Sequence, residues 1–315
     1  MKTLHVCNVN FEWELENRSK MGVKDSFMVH PNYLQLQFLP FLYAKPGDGV
    51  VVTHHPPEVP EGIAVHLFED EIEGYDRIET WGWSKAIERW SPLPYKVPDC
   101  LREVASKAFS FTHSPNLPGA KLLHHPEEAK GWIAEGPYPK VLKTCYGMAG
   151  RRRIILEKPE DYEKAQAQVL KEFERGHQLI GEPWVNRQMD FSTQWVLGDE
   201  ITYLGATVLE NTKWGNYSRT YVGQDIPFLE EHLEKVQSPL KHLWARGFRG
   251  NLGIDAMVYD NKLHPIVEIN TRKTMGWLAL KLGKSLAYEN GTQGLLPSFL
   301  MTDKKIPFQK QLVLL

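Results

Sequence analysis

The sequence alternates short apolar segments with turn-forming residues, a pattern typical of a protein that contains both strands and helices. In the first hundred residues, β-branched and apolar segments predict strands at 4–9, 49–53 and 64–68. Apolar residues at helical spacing predict helices at 33–43, 84–90 and 101–110. Strands and helices in alternation indicate an α/β lobe.

The pattern changes in the rest of the chain. Predicted strands follow one another at 139–144, 151–156, 178–185, 191–197 and 200–209. A surface helix is predicted at 160–175, and a second one, interrupted near Pro239, at 227–246. We expect 210–219 to be a mobile segment. The C-terminal part is therefore predicted to be α+β.

The clearest hairpin pattern lies at 253–269. Its two arms are rich in apolar and β-branched residues, and an Asp-Asn pair between them favours a turn. If the connection has two or four residues, Asp255, Glu268 and Asn270 project from one face, because side chains alternate along a strand. A three-residue connection without a bulge would place Asp255 on the opposite face.

On the first of these registers, the three side chains predict a site for a divalent metal ion. Asp255 would lie diagonal to Glu268, about 7 Å away at the backbone, and a cation that prefers oxygen ligands could bridge the two carboxylates. Mg²⁺ is the first candidate and Mn²⁺ the alternative ion. A polar strand face in solvent is the competing interpretation of this hairpin.

A second candidate site is the glycine-rich tip at 145–150, between two predicted strands. Gly147 and Gly150 would let backbone N–H groups approach phosphate oxygens, because no Cβ stands in the way. Lys143 and an adjacent arginine would offset the phosphate charge. Taken alone, the segment favours the simpler interpretation of an exposed hairpin whose arginines are solvated.

Composition and charge restrict the function. The chain has 315 residues, 42% of them hydrophobic and 24% charged, which is ordinary for a globular protein. A formal net charge of −2 gives no reason to expect nucleic acid or a membrane as a partner. No apolar run approaches the roughly 20 residues that span a bilayer, and the first residues lack a signal-peptide core. We expect a cytoplasmic protein, and the sequence does not predict its oligomeric state.

The order of these parts is more specific than any one of them. A lysine at 107, a second lysine before a glycine-rich hairpin, a hinge near 182–185 and the late Asp, Glu-x-Asn hairpin together resemble the ATP-grasp superfamily. The resemblance covers about 107–281 and is sharpest in Val-Glu-Ile-Asn-Thr-Arg at 267–272. It implies an ATP-grasp fold, α/β overall and α+β in its C-terminal part, with an N-terminal pre-ATP-grasp α/β domain.

The resemblance implies domains and nucleotide contacts. The pre-ATP-grasp domain would be 1–112, the small ATP-grasp subdomain with its flap 113–185, and the C-terminal subdomain with the metal site 186–315. Lys107 and Lys143 would contact the phosphates of ATP, and Asp255, Glu268 and Asn270 would bind Mg²⁺. The adenine and ribose hinge would contain Glu182 and Val185. The flap over the triphosphate would consist of Gly147, Met148, Ala149, Gly150 and Arg151.

Arg272 resembles the arginine that faces the acceptor carboxylate or the developing acyl phosphate in related ligases. The resemblance therefore implies two catalytic residues, Arg272 and Lys143. One position departs from the pattern of D-alanine:D-alanine ligase, which has an arginine where this chain has Gly253. Arg249, Arg272 or Arg219 would supply that charge instead. Substrate contacts are predicted at Arg219, Arg272 and Asn8.

The implied activity is ATP-dependent ligation of a small-molecule carboxylate to an amine through an acyl phosphate, with release of ADP and phosphate. Magnesium, lysine and arginine would neutralise the triphosphate so that an anionic carboxylate can attack it. Two alternatives stay open. One is an ATP-grasp kinase that passes the phosphate to a hydroxyl, and the other is a non-catalytic ATP-binding module.

Overall fold

A computed structural model describes residues 1–18, 20–27, 31–147, 153–213, 215–289 and 311–315. The described residues contain three β-sheets, which follow one another along the chain. We refer to them as the first, second and third sheet.

The first sheet lies in the N-terminal part, and its pairings are parallel. Its strands are β1 (Thr3–Val6), β2 (Gly49–Val52), β3 (Ala64–Leu67) and β4 (Arg77–Thr80), in the order β3-β2-β1-β4. The helices of this part are α1 (Phe11–Asn17), α2 (Val23–Phe27), α3 (Pro31–Leu36) and α4 (Lys85–Trp90), and a 3₁₀ turn spans Leu39–Leu42. The predicted strands at 49–53 and 64–68 are confirmed, and the one predicted at 4–9 is confirmed in part, because β1 ends at Val6.

Two short helices, α5 (Leu101–Val104) and α6 (Lys107–Thr112), replace the single helix predicted at 101–110. Ser106 separates them because it caps α6, and its hydroxyl accepts a hydrogen bond from the N–H of Ala108 at 3.2 Å. The cap places Lys107 at the first position of α6.

The second sheet is antiparallel and has the order β5-β8-β6-β7. In chain order its elements are β5 (Lys121–Leu123), α7 (Pro126–Ala134), β6 (Lys140–Thr144), β7 (Arg153–Leu156), α8 (Asp161–Glu174) and β8 (Leu179–Pro183). Apolar side chains of α7 and α8 pack on this sheet in one cluster that includes Ile133, Val169 and Leu142. The predicted helix at 160–175 is confirmed as α8.

The third sheet is also antiparallel. In chain order its elements are β9 (Arg187–Leu197), β10 (Ile201–Asn211), β11 (Tyr217–Tyr221), α9 (Leu229–Lys235), α10 (Gln237–Ala245), β12 (Gly250–Tyr259), β13 (Lys262–Asn270), α11 (Met275–Leu282), β14 (Leu286–Glu289) and β15 (Gln311–Leu314). The strand order is β13-β12-β9-β10-β11-β14-β15. One face packs against α10, with Trp195, Ile254 and Leu240 in a common cluster.

Two predictions for this part were wrong. The segment 210–219 is not simply mobile, because β10 runs to Asn211 and β11 begins at Tyr217. The helix at 227–246 is interrupted at Val236 and not near Pro239. Pro239 instead lies in the first turn of α10, where the N–H that proline lacks would have no partner within the helix.

Candidate active site

The hairpin of β12 and β13 brings three oxygen-bearing side chains together on one face of the third sheet. Asp255 on β12 lies directly opposite Glu268 on β13, and Asn270 follows two residues after Glu268. Nδ2 of Asn270 donates a hydrogen bond to Oδ2 of Asp255 at 3.0 Å. We call these three residues the acidic trio.

The turn of this hairpin has two residues, Asp260 and Asn261, with φ angles of 47° and 56°. Both lie in the left-handed region, as a type I′ turn requires. The two-residue connection is one of those predicted to keep the trio on one face.

The pairing of the trio nevertheless differs from the predicted diagonal. Met257 pairs with His264 and Asp255 with Glu268, so two steps along β12 correspond to four along β13. Pro265 lies in the shifted stretch and cannot donate a hydrogen bond to the ladder. A shift of two residues preserves the alternation of faces, and it converts the predicted diagonal into direct opposition.

The electrostatics of Asp255 reflect its neighbours. Burial, followed by the negative charge of Glu268, raises the pKa of Asp255 to about 6. Hydrogen bonds from Ser192 and Asn270 and the charge of Arg272 oppose this shift without cancelling it. Two adjacent carboxylates in a partly buried place therefore attract positive charge.

Lys107 supplies one such charge from α6. Its Nζ donates hydrogen bonds to Oε1 of Glu268 and to the carbonyl oxygen of Gly147, each at 2.6 Å. Burial by itself would lower the pKa of Lys107, but the charges of Glu268 and Glu12 outweigh it and the pKa is raised. The first predicted lysine thus joins the trio to Gly147, the first residue of the predicted flap.

Arg272 supplies a second charge. Its Nη2 donates to Oδ1 of Asn270 at 3.0 Å, its Nη1 to the carbonyl oxygen of Lys273 at 3.2 Å, and its Nε to Oε1 of Glu12 at 2.7 Å. Glu12 belongs to α1, so the guanidinium is held between the first and third sheets. Of the three arginines considered for the missing charge, Arg272 directly contacts the trio.

The donor chemistry of the trio fits a hard divalent cation. Two carboxylates and an amide oxygen are ligands that Mg²⁺ and Mn²⁺ take in proteins. A cation placed there would relieve the repulsion that raises the pKa of Asp255.

The predicted nucleotide residues of the second sheet form a pair of their own. Nζ of Lys143 on β6 lies 2.5 Å from Oε2 of Glu182 on β8. His264 of the acidic hairpin interacts electrostatically with both, and burial lowers its pKa to about 4. The second sheet therefore lies next to the same hairpin as the trio.

Other predicted site residues lie elsewhere. Val185 lies in the connection between β8 and β9. Arg219 is on β11, which is three strands from β12 in the third sheet, roughly 14 Å at the usual spacing. The flap residues Met148, Ala149, Gly150 and Arg151 lie outside the described residues.

Asn8 is 1% exposed. Its amide donates to the carbonyl oxygen of Gly82 at 2.9 Å and accepts from the N–H of Trp81 at 3.1 Å. The side chain thereby fixes the end of β1 to the segment that follows β4.

The structure also shows the surroundings of Gly253, which stands where D-alanine:D-alanine ligase has an arginine, and of Arg249, one of the arginines considered as its substitute. Arg249 donates two hydrogen bonds, at 2.8 Å each, to the carbonyl oxygens of Trp244 in α10 and of Phe248 after it, and it stacks on Trp244. A Cβ at Gly253 would lie 2.7 Å from Cγ2 of Thr274. The position has no room for a side chain, which explains why no arginine occupies it.

Sequence reasoning missed three residues around the trio. Glu12 lies on α1, a helix that the sequence did not predict. Lys273 is fully buried, and its ammonium group binds Glu79 of β4 and lies 4.4 Å from the ring centre of Trp277. For Lys273, the sequence offered one indication of a role near the site, namely its position directly after Arg272.

A cavity of about 350 Å³ lies between the first and third sheets, and Thr271 and Arg272, the two residues after Asn270, form part of its lining. Its lining includes Arg77, Glu79, Trp83, Tyr95, Asn251 and Arg272. Arg272 therefore contacts both the trio and the cavity.

No protein-family model matches the sequence. No curated protein matches it either.

Solved structures do resemble it. N5-carboxyaminoimidazole ribonucleotide synthetase from Thermus thermophilus is similar with a TM-score of 0.58 and 15% identity, over 100% of this chain and 93% of that one. The Staphylococcus aureus N5-carboxyaminoimidazole synthetase complexed with ADP has a TM-score of 0.54 and 13% identity, over 92% and 82%. L-amino acid ligase from Bacillus licheniformis has a TM-score of 0.54 and 14% identity, over 89% and 70%.

The chain also spans 46% of the length of a biotin carboxylase from Campylobacter jejuni, at a TM-score of 0.47. At these identities the likeness shows the fold. The chain has the ATP-grasp fold, as its motifs predicted. Within the described residues, no helix is long and apolar enough to cross a membrane.

Proposed function

We propose that the protein is an ATP-dependent carboxylate–amine ligase that works through an acyl phosphate. The observation that carries the proposal is the acidic trio in direct contact with Arg272, at the wall of a cavity of small-molecule size. A candidate cation site and a fixed guanidinium are adjacent, as phosphoryl transfer to a small acid requires.

The nucleotide would lie between the second and third sheets. Lys107 is in place at the trio, and Lys143 and Glu182 flank His264 of the same hairpin. We propose that the lysines contact the phosphates of ATP, that Glu182 and Val185 contact adenine and ribose, and that the flap from Gly147 to Arg151 covers the triphosphate. The subdomains would then meet at this nucleotide, with boundaries near 112 and 185.

The reaction would proceed in two steps. An oxygen of the substrate carboxylate attacks the γ-phosphorus, the bond to the β–γ bridging oxygen breaks, and ADP leaves. The amine nitrogen then attacks the acyl carbon, loses one proton, and displaces inorganic phosphate to leave an amide. Mg²⁺ or Mn²⁺ at the trio would neutralise phosphate charge during the first step.

Residues of this chain would act on the substrates directly. Arg272 would bind the attacking carboxylate, and because its guanidinium is held by Glu12 and Asn270 it would not need to reorganise. Lys107 and Lys143 would stabilise the charge that moves onto ADP. The predicted flap would keep water from the acyl phosphate.

The similar structures support the class of reaction. One is named as a synthetase, one as a synthetase complexed with ADP, and one as an amino acid ligase. The acid and amine that this protein would use are not implied by those names.

The proposal is tested by incubating the protein with ATP, Mg²⁺ and a panel of acids and amines, with one acid labelled with ¹⁸O in its carboxylate. A ligase releases ADP only when acid and amine are present, and it transfers one ¹⁸O atom to inorganic phosphate. A phosphorylated hydroxyl product, seen by mass, would favour the kinase instead. Tight ATP binding without turnover on any panel member would favour the binding module.

A further inference from the structure

The strand β13 lies at the edge of the third sheet, and the helix α6 packs against it. In an antiparallel edge strand, every second residue directs its backbone N–H away from the sheet, where no strand can accept it. Two members of the acidic trio, Glu268 and Asn270, are on this strand. The contacts that β13 makes on its free side therefore affect where these two side chains lie.

The backbone between the two candidate ligands is bound by α6. The N–H of Ile269 donates a hydrogen bond to Oγ of Ser110 at 3.1 Å. Both residues are buried, so the hydrogen bond is shielded from solvent. Without the Ser110 hydroxyl, this N–H would be a buried donor with no acceptor, which is costly.

Two more residues of α6 contact the same stretch of β13. Nζ of Lys107 binds Oε1 of Glu268 at 2.6 Å. The ring of Phe109 belongs to the same buried apolar cluster as the side chain of Ile269. Lys107 and Ser110 are three residues apart, so they lie on one side of the helix. The helix thus holds Glu268 by its carboxylate and the next residue by its backbone.

The pairing with β12 holds this stretch of β13 over a short distance. Three consecutive residue pairs join 268–270 to 253–255, and the register shifts immediately beyond the pair of Asp255 and Glu268. Pro265, in the shifted stretch, has no N–H to donate to the ladder. Because the regular pairing is so short, the contact at Ser110 has a larger part in fixing the strand.

We propose that Ser110 is a positioning residue of the cation site. It acts through the backbone of Ile269, which it fixes between Glu268 and Asn270, and it thereby sets the direction of their side-chain oxygens. Groups that orient metal ligands in this way contribute to the affinity for the metal without touching it. The proposal rests on the proposed function in one respect, namely that the trio binds a divalent cation.

Hydrogen exchange tests the contact on the full chain without any ligand. In Ser110→Ala the N–H of Ile269 loses its acceptor, so its exchange, followed by NMR, should accelerate by about tenfold or more. Thr112→Val is the matched control, because it also removes a hydroxyl from α6, at an exposed position where that hydroxyl donates to the carbonyl oxygen of Ala108 at 2.8 Å. Unchanged exchange of Ile269 in Ser110→Ala contradicts the proposal.

The binding of Mn²⁺ with ATP, followed by electron paramagnetic resonance, tests the role. Ser110→Ala should weaken this binding by about tenfold, the lower end of the range for residues that orient metal ligands. Ser110→Thr keeps the hydroxyl and should restore most of the affinity, and Thr112→Val should bind as wild type. If Ser110→Thr does not fold, Ser110→Cys, whose thiol is a weak acceptor, must bind more tightly than Ser110→Ala.

The failures of the two proposals are distinguishable. Equal Mn²⁺ binding in wild type and Ser110→Ala, or a loss that no hydroxyl or thiol at this position restores, refutes the role of Ser110 and leaves the ligase proposal intact. Wild-type protein that binds no Mn²⁺ with ATP refutes the cation site and both proposals with it. The expected order of Mn²⁺ affinities without ADP release on any acid and amine supports the role of Ser110 and refutes the ligase.

Discussion

Lys107 occupies the place in this protein where three separate parts of the chain meet. Its ammonium group binds Glu268 of β13 and the carbonyl oxygen of Gly147, and its own backbone N–H binds the carbonyl oxygen of Cys145 at 2.9 Å. A positive charge held beside the acidic trio is suited to receive phosphate oxygens.

Lys107→Met keeps the length of the side chain and removes its charge. We expect the affinity for ATP with Mg²⁺ to fall by roughly tenfold to a hundredfold, the range for a lost charge-assisted hydrogen bond. Titration of a fluorescent ATP analogue would measure it. Lys130→Met, at an exposed position of α7, is the control and should bind normally. Unchanged affinity in Lys107→Met would contradict the phosphate role.

His232 is a second informative residue, away from the site. It is fully buried on α9, and its Nε2 lies 2.8 Å from Oγ1 of Thr193. Burial lowers its pKa to about 4, from an ordinary value of 6.5. The native state therefore favours the neutral imidazole.

The sign of the pH dependence follows. The pKa of His232 in the folded state lies below its unfolded value. The contribution of the neutral His232 to the free energy of unfolding is therefore complete above pH 6.5 and is lost as the pH falls toward 4. The free energy of unfolding should decrease by up to about 3 kcal/mol over that window. His232→Gln should reduce this pH dependence in urea titrations, whereas the exposed His125→Gln should leave it unchanged. Equal slopes in both variants would contradict the argument.

Among the elements, the hairpin of β12 and β13 packs in the third sheet only because Gly253 has no side chain. Gly253→Ala would put a Cβ 2.7 Å from Cγ2 of Thr274 and 3.0 Å from Oε1 of Gln194. Both neighbours are buried, so we expect a loss of about 1–3 kcal/mol in the free energy of unfolding. Gly198→Ala is the control, since its nearest contact would be at 4.0 Å. Equal stability of the two variants in urea would show that the packing at β12 can relax.

The elements that the sequence predicted well are those with a strong local signal. The strand β2 (Gly-Val-Val-Val) is wholly apolar, β1 (Thr-Leu-His-Val) and β3 (Ala-Val-His-Leu) are rich in β-branched and apolar residues, and α8 has a proline before it, acidic residues in its first turn and Gly176 after it. The strands β11 and β14 were missed because they are short and depend on neighbours in the sheet, β10 and β14 for β11, and β11 and β15 for β14. Pairing partners distant in sequence give no local pattern.

In the trio, too, one feature follows from a local sequence pattern and another depends on residues distant in sequence. Alternation along β13 fixes Glu268 and Asn270 on one face, so sequence alone could place them together. Direct opposition to Asp255 depends on the register shift near Pro265, which no periodicity reveals. Glu12 and Glu79 reach the site only because the first sheet packs against the third, and nothing in their own segments indicates that contact.

At the scale of the whole molecule, Lys273 and Glu79 tie the first sheet to the acidic hairpin. Lys273 is 0% exposed, it lies against the rings of Tyr43 and Trp277, and its backbone N–H binds the carbonyl oxygen of Trp81 at 2.9 Å. A charge buried this deeply is tolerated only with its partner.

Lys273→Met should lower the free energy of unfolding by about 3–5 kcal/mol, because it leaves the Glu79 carboxylate without its buried partner. The double variant with Glu79→Gln should lose less than the sum of the single variants. Lys24→Met breaks a comparable long-range pair with Glu69, but both of those side chains are substantially exposed, so it should change the free energy of unfolding far less than Lys273→Met does. Strict additivity in the double variant would contradict the proposed tie.

The binding of Mn²⁺ with ATP, followed by electron paramagnetic resonance, tests the central claim most directly. Wild-type protein should bind the metal–nucleotide complex, and Glu268→Gln should weaken that binding by at least about tenfold through the loss of one ligand. Glu200→Gln changes an exposed carboxylate in the turn between β9 and β10, and this variant should behave as wild type. Equal Mn²⁺ binding in wild type and Glu268→Gln would contradict a cation site at Asp255, Glu268 and Asn270.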